Sequence, residues 1–204
     1  MKTATGVVVA GGRSTRFGDR EKALTEFEGE PMLRRVVAAL GPITDAVVVN
    51  CRPDQRAAFA EALEGVDTEV RFALDERPDE GPLVGLMTAL SAVETDLAVV
   101  LGCDMPLAAP DALSELRDLI EPNHDALIPQ TEGGPEPLHA VYRVGPAQAA
   151  AQAAVADGER RLRGLLGRLR VRQVAVGERV PARSVTSVDT EDRLRELEAE
   201  GDSG

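Results

Sequence analysis

Alternation constrains this chain more than any other feature. Short apolar runs rich in valine recur at "TGVVVA" (5–10), "AVVVN" (46–50), "TEVRFAL" (68–74), "LAVVLG" (97–102) and "DALIP" (125–129). Segments of helical pattern separate them, at about 31–40, 54–64, 82–93 and 110–121. A strand that is apolar along its whole length has to be covered on both faces, and parallel strands need a long crossover between them. Intervening helices meet both needs. The pattern predicts an α/β fold, a Rossmann-like, doubly wound, mostly parallel sheet with helices on both faces. Pro31, Pro82 and Pro110 stand at or near the predicted helix starts, where a missing N–H costs little.

The last third is less regular. "EPLHAVYR" (136–143) reads as a strand for an antiparallel place in the sheet, and "VRQVAV" (171–176) as another strand. The alanine-rich stretch at 147–156 and the segment after it read as one or two helices broken near Gly158. "DTEDRLRELEAE" reads as a final helix capped by Asp189 or Thr190. With no internal repeat and no linker, residues 1–204 are expected to form one domain, with a flexible tail from about 200 to 204.

In an open α/β sheet, ligands bind beyond the carboxyl ends of the strands. "VVVAGGRSTRFGDREKAL" (7–24) leaves such an end. Gly11 and Gly12 let backbone N–H groups approach an anion, while Arg13, Arg16 and Lys22 add positive charge, so polyphosphate is the expected ligand. Neither of the two commonest phosphate loops fits. Gly18 is followed by Asp19 rather than by the lysine of a P-loop, and the adjacent Gly11 and Gly12 break the G-x-G spacing of a dinucleotide fingerprint. Lys22 is conspicuous, because only Lys2 and Lys22 are lysines among the 23 Lys+Arg residues.

Bulk composition narrows the partners. A net charge of −12 excludes a general nucleic-acid binder, which needs a basic face, and 2% aromatic residues leave little for base stacking. Abundant Asp and Glu with scarce lysine resembles the halophilic composition of salt-adapted proteins. No apolar segment is long enough to span a membrane and the N-terminal apolar run is cut short at "GGRSTR", so the expected compartment is cytoplasmic. Cys51 and Cys103 read as two buried free thiols at strand ends, and with only His124 and His139 to join them they make no convincing zinc set.

Carboxylates follow several strand ends. Asp104 in "VVLGCDMPL" stands where a residue beside a triphosphate would hold Mg²⁺, and equally where a turn or helix-capping aspartate would stand. Asn50 and Asp75, alone, read as a strand-end turn residue and a solvated loop charge, but both share the carboxyl edge with the glycine loop.

These segments together resemble the nucleotidyltransferases of the molybdenum cofactor family, and within it the molybdenum cofactor guanylyltransferases. The first loop is similar to the family's L-A-G-G-x-S-x-R-M-G-x-D-K-x-L, with Phe17 for Met and Glu21 for Asp. "CDMP", "GPLVG" (81–85), "EPLHAVY" and "SVDTEDRL" (187–194) extend the likeness, with Glu136 replacing a glutamine and Ser187 and Asp189 replacing two asparagines. The resemblance implies a nucleotide-diphospho-sugar transferase-like fold and a GTP site containing Val9, Ala10, Gly11, Gly12, Lys22, Asn50, Asp75 and Asp104. It implies Arg16, Lys22 and Asp104 as the catalytic set, with Mg²⁺ on Asp104. Asp189 is either a second metal ligand or a helix cap. His139 reads as structural.

The implied reaction moves GMP from GTP to the phosphate of molybdopterin and releases pyrophosphate. Molybdoenzymes or other cofactor-synthesis proteins would be the protein partners. A phosphate monoester is already anionic near neutral pH, so no catalytic triad is needed, and none is visible. The same residues leave open CTP as donor, or another phosphorylated acceptor such as cobinamide phosphate or phospholactate. A nucleotide-binding module without catalysis is the alternative of another class.

Overall fold

The computed structural model describes residues 3–12, 17, 21–76, 80–177 and 179–201. The chain begins with β1 (Ala4–Val9), then a small hairpin of β2 (Glu26–Phe27) and β3 (Glu30–Pro31) leading into α1 (Met32–Leu40). Next come β4 (Val47–Cys51), α2 (Arg56–Ala62), β5 (Val70–Leu74), α3 (Pro82–Ser91), β6 (Leu97–Gly102) and α4 (Pro110–Leu119). The last part holds β7 (Ala126–Thr131), β8 (Gly134–Pro135), β9 (His139–Arg143), α5 (Val144–Ala156), α6 (Leu162–Leu166), β10 (Val171–Ala175) and α7 (Glu191–Gly201).

The main sheet runs β10-β7-β9-β6-β1-β4-β5, with β8 beside β7. β1 pairs in parallel with β4 and β6, β4 with β5, and β7 with β10, whereas β9 is antiparallel to both β6 and β7. The expected doubly wound, mostly parallel sheet is therefore present. The chain first winds from β1 through β4 to β5, then returns to place β6 on the other side of β1. At such a reversal an open α/β sheet places its binding crevice between the loops that follow the two strands, here β1 and β6.

The alternation of each strand feeds two apolar layers. In β6, Leu97, Val99 and Leu101 face one layer with Leu33, Val37 and Leu40 of α1, Phe59 of α2 and Leu113 and Leu116 of α4. Ala98 and Val100 face the other layer, with Leu83, Leu86 and Leu90 of α3 and Ala147, Ala151 and Ala154 of α5. Burying each such leucine contributes about 1.5–3 kcal/mol relative to leaving it in water. The alanine stripe of α5 presents only methyl groups, so α3 and α5 lie close. Gly6 serves the same end on β1, where an added Cβ would crowd Leu40 at 3.1 Å.

Several boundaries differ from expectation. The strand expected over 136–143 begins only at His139, because Glu136 opens a turn in which its carbonyl accepts from the His139 N–H at 3.1 Å. The helical break near Gly158 is present, with Gly158 at φ +85°. Thr190, not Asp189, caps α7, its Oγ1 accepting from the Arg193 N–H at 3.1 Å. α7 continues through Gly201, and 202–204 lie outside the described residues. Both cysteines are free; Cys51 is buried and Cys103 partly buried.

Candidate active site

The carboxyl ends of the parallel strands are stitched together past the regular ladder. The Ala10 N–H donates to Asn50 O at 3.1 Å, the Cys103 N–H to Val9 O at 3.2 Å and the Asp75 N–H to Cys51 O at 2.9 Å. Val9, Ala10, Gly11, Asn50, Asp75 and Asp104 are thus brought to one edge, beside the crevice between β1 and β6. Arg16 and Arg13 lie outside the described residues.

One cluster on this edge is ionic. Lys22 starts a short 3-10 turn, and its Nζ donates to Asp104 Oδ2 at 2.7 Å and to Asp189 Oδ1 at 2.9 Å. Burial works against the ammonium charge, but the two carboxylates outweigh it, and the Lys22 pKa lies above its ordinary value. Asp104 does not cap α4, whose N-cap is Ala109. Its carbonyl accepts the Val188 N–H at 2.8 Å, which draws the C-terminal segment over the site. That segment is held by a third apolar cluster, in which Phe17 and Phe27 pack with Met32, Val188 and Leu197. Phe17 does a second job, its ring lying 5.7 Å from Lys22 Nζ as a cation–π partner. Residues 82 and 167 positions away are thereby joined to Lys22.

The other cluster is buried and built on an amide. Asn50 is fully buried, and its Nδ2 donates to Asp75 Oδ1 at 2.7 Å and to Ala73 O at 3.2 Å. Burial raises the Asp75 pKa, against the hydrogen bonds from Asn50 and Thr88 and the charge of Arg52. The glycines around the pair are steric necessities. A Cβ on Gly11 would collide with Asp75 Oδ2, and one on Gly85 in α3 would lie 2.5 Å from Asn50 Oδ1. Asn50 Oδ1 is a buried acceptor with no hydrogen-bond partner among the described residues.

Two further residues were not found from sequence. Arg52 and Gln55 are 8% and 4% exposed, and they hold the backbone of the glycine loop from behind. Arg52 Nη1 donates to Gly11 O and Gly12 O at 3.2 and 2.9 Å, and Gln55 Nε2 to Ala10 O at 3.3 Å. A polar "RPDQ" (52–55) directly after an apolar strand was the available signal, for it puts an arginine where the strand edge is still buried.

On the far side of Asp104, burial raises the Glu136 pKa, helped by the charges of Asp104 and Asp189. His139 is completely buried, and its Nε2 lies 3.5 Å from Ser184 Oγ. Burial lowers its pKa to about 4, which makes it a neutral packing group at pH 7. Among the described residues no helix is long and apolar enough to cross a membrane. The arrangement is chemically suited to phosphate groups. It has glycine N–H groups, a lysine and paired carboxylates at one end of the crevice, and a buried amide–carboxylate pair at the other.

Comparison with known proteins agrees with this geometry. The sequence profile of the MobA-like NTP transferase domain matches residues 6–174. A "Probable molybdenum cofactor guanylyltransferase" of Natronomonas pharaonis is 45% identical over 197 residues, 95% of this chain and 96% of that one. Another from Haloferax mediterranei is 39% identical over 196 residues, 94% and 91% of the two chains. The crystal structure of molybdopterin-guanine dinucleotide biosynthesis protein A from Archaeoglobus fulgidus superposes with a TM-score of 0.78 at 25% identity, covering 99% of this chain and 100% of that one. With the sheet order, that likeness gives the nucleotide-diphospho-sugar transferase fold. The chain belongs to the MobA-like NTP transferase family, together with the molybdenum cofactor guanylyltransferases, and is a nucleotidyltransferase.

Proposed function

We propose that the protein transfers GMP from GTP to the terminal phosphate of molybdopterin, in the cytoplasm, with 1–204 acting as one domain and a molybdoenzyme receiving the product. The observation that carries this reading is the ammonium of Lys22 held between Asp104 and Asp189 at 2.7 and 2.9 Å. Two carboxylates that share one cation are chemically suited to a divalent ion as well, and the lysine marks where such a charge is accommodated. Among the described residues no three His, Cys, Asp or Glu side chains gather to hold a metal unaided. That suits Mg²⁺, which takes one or two carboxylates and completes its shell with phosphate oxygens and water. Asp104, with Asp189, would hold Mg²⁺, which when bound disperses charge on the triphosphate.

The chain's own residues account for the remaining needs. A phosphate oxygen of the acceptor attacks the α-phosphorus of GTP. A new P–O bond forms, the α–β bridging P–O bond breaks, and pyrophosphate leaves with the bonding electrons. Gly11 and Gly12 offer N–H groups to the triphosphate, and Lys22 supplies a compact cation to the oxygens that gain charge. Arg16 would add a second cation. Asp75 presents a carboxylate to the base. Guanine has adjacent N–H donors on its Watson–Crick edge, whereas cytosine sets a ring acceptor beside its amino group and would turn that acceptor toward the carboxylate. This supports GTP over CTP.

Pyrophosphate release tests the reading. With Mg²⁺ and molybdopterin, GTP should give rapid release and CTP little. Equal or faster turnover of CTP would overturn the guanine assignment, and release only with cobinamide phosphate or phospholactate would overturn the acceptor.

A further inference from the structure

Three consecutive carbonyls leave β1, those of Ala10, Gly11 and Gly12, and each accepts a hydrogen bond from a side chain in the turn after β4. The turn itself is braced, since the Arg52 N–H donates to Gln55 Oε1 at 2.8 Å and the Gln55 N–H to Arg52 O at 3.1 Å. Among the described residues no group accepts from the N–H of Gly11 or Gly12. Pinning a peptide's oxygen on one side directs its N–H to the other, so carbonyls held from behind leave donors facing the crevice.

The same guanidinium reaches the loop's far end. Arg52 Nη2 donates to Glu21 Oε2 at 3.3 Å, and Glu21 immediately precedes Lys22. Arg52 is itself oriented by Asp54, with contacts of 3.1 and 3.2 Å to its two oxygens. One planar fork therefore fastens both ends of a segment whose two sides supply the glycine donors and the lysine. An ammonium has neither the spread nor the number of donors to make these contacts at once.

We propose that Arg52, seconded by Gln55 and Glu21, is the positioning residue of the phosphate loop. It touches no substrate. Through Gly11 O it presets the Gly12 N–H, as Gln55 through Ala10 O presets the Gly11 N–H, and through Glu21 it holds the residue next to Lys22, so that these donors and the lysine meet the triphosphate already placed. The inference rests on the nucleotidyl-transfer reading above.

The test is calorimetric titration with GTP and with inorganic tripolyphosphate, both with Mg²⁺, of the wild type, Arg52→Lys, Arg52→Ala and Glu21→Gln. Tripolyphosphate has neither base nor sugar, so it reads the phosphate loop alone. Both Arg52 variants should bind both ligands roughly 10-fold or more weakly, and Glu21→Gln should lose a few-fold, about the effect of one weakened hydrogen bond. The KM for molybdopterin and the melting temperature of Arg52→Lys should stay near wild type, and Arg52→Lys carries the test if Arg52→Ala does not fold. Wild-type tripolyphosphate affinity in Arg52→Lys overturns the proposal. So does a parallel loss of acceptor KM and melting temperature, the mark of a general packing role. A wild type that binds neither GTP nor tripolyphosphate would instead defeat the nucleotidyl-transfer reading, whatever the variants do.

Discussion

Asp104 and Asp75 each follow a parallel strand of the same sheet, yet the protein treats their charges in opposite ways. The Asp104 side chain is 22% exposed and faces an ammonium that it shares with Asp189. Asp75 is 6% exposed and faces the amide of Asn50, with its pKa pushed up by burial. A cluster of charges stays close to water, where exchanging one cation for another costs little. A buried carboxylate hydrogen-bonded by a neutral amide cannot exchange charge cheaply, but its remaining lone pairs suit the N–H groups of a neutral ligand. One cluster is thus ionic and close to water, and the other is buried and built on an amide.

The sharpest way to break this comparison is at Asp104. Asp104→Asn keeps the shape and the Val188 backbone contact but halves the charge of the pair. A loss on the order of 100-fold or more in kcat/KM is expected, with folding intact by circular dichroism. Near-normal turnover at limiting Mg²⁺ would remove the metal from Asp104.

Lys22 comes next. Guanidinium is a wide fork, whereas the Lys22 ammonium fits between two carboxylates over the Phe17 ring. Lys22→Arg should therefore impair turnover nearly as much as Lys22→Ala, about 10-fold or more in kcat/KM for GTP. The two should differ in stability. Lys22 is only 12% exposed, and alanine would leave Asp104 and Asp189 facing each other, lowering the melting temperature by about 2–4 °C. Steady-state kinetics and thermal melts on both variants check this. Wild-type kcat/KM in Lys22→Arg would mean that charge alone matters there.

The smallest effect is expected at the buried end, and it has the opposite sign. A carboxylate whose folded pKa is raised binds its proton more tightly in the folded state. Stability then falls as pH rises from the ordinary carboxylate range, about 4, through the raised value, and stays lower above it. Asp75→Asn removes that cost while keeping an acceptor for Asn50. The variant should melt at or slightly above the wild-type temperature at pH 7, and the gain should vanish at about pH 4. Its KM for GTP should nevertheless rise. A melting temperature well below wild type at pH 7 would show that the Asp75 charge is structural.

Much of this was legible in the chain. Strand runs such as "VVVA" and "LAVVLG" are apolar at every position, which only a doubly covered sheet satisfies, and their order placed Gly11, Asn50, Asp75 and Asp104 at one edge. The hairpin at 26–31 was not legible, because its strands are two residues each and carry no periodicity. Asp189 offered two readings, second metal ligand or helix cap. Thr190 takes the cap, and the third apolar cluster, built from Phe17, Phe27, Met32, Val188 and Leu197, carries Asp189 to Lys22.

By itself, then, the sequence determined the layers, the edge on which chemistry can occur, and the residue types gathered there, because hydrophobic periodicity and glycine placement are local properties. Only the tertiary structure decided who faces whom. Lys22 meets Asp104 and Asp189 across 82 and 167 residues, and Arg52 reaches back about 40 residues to carbonyls that any residue type would supply. Ion pairs and backbone acceptors of that kind leave no periodic trace in a chain. They depend on distances that exist only once the sheet has reversed direction at β1 and brought both loops to the same crevice.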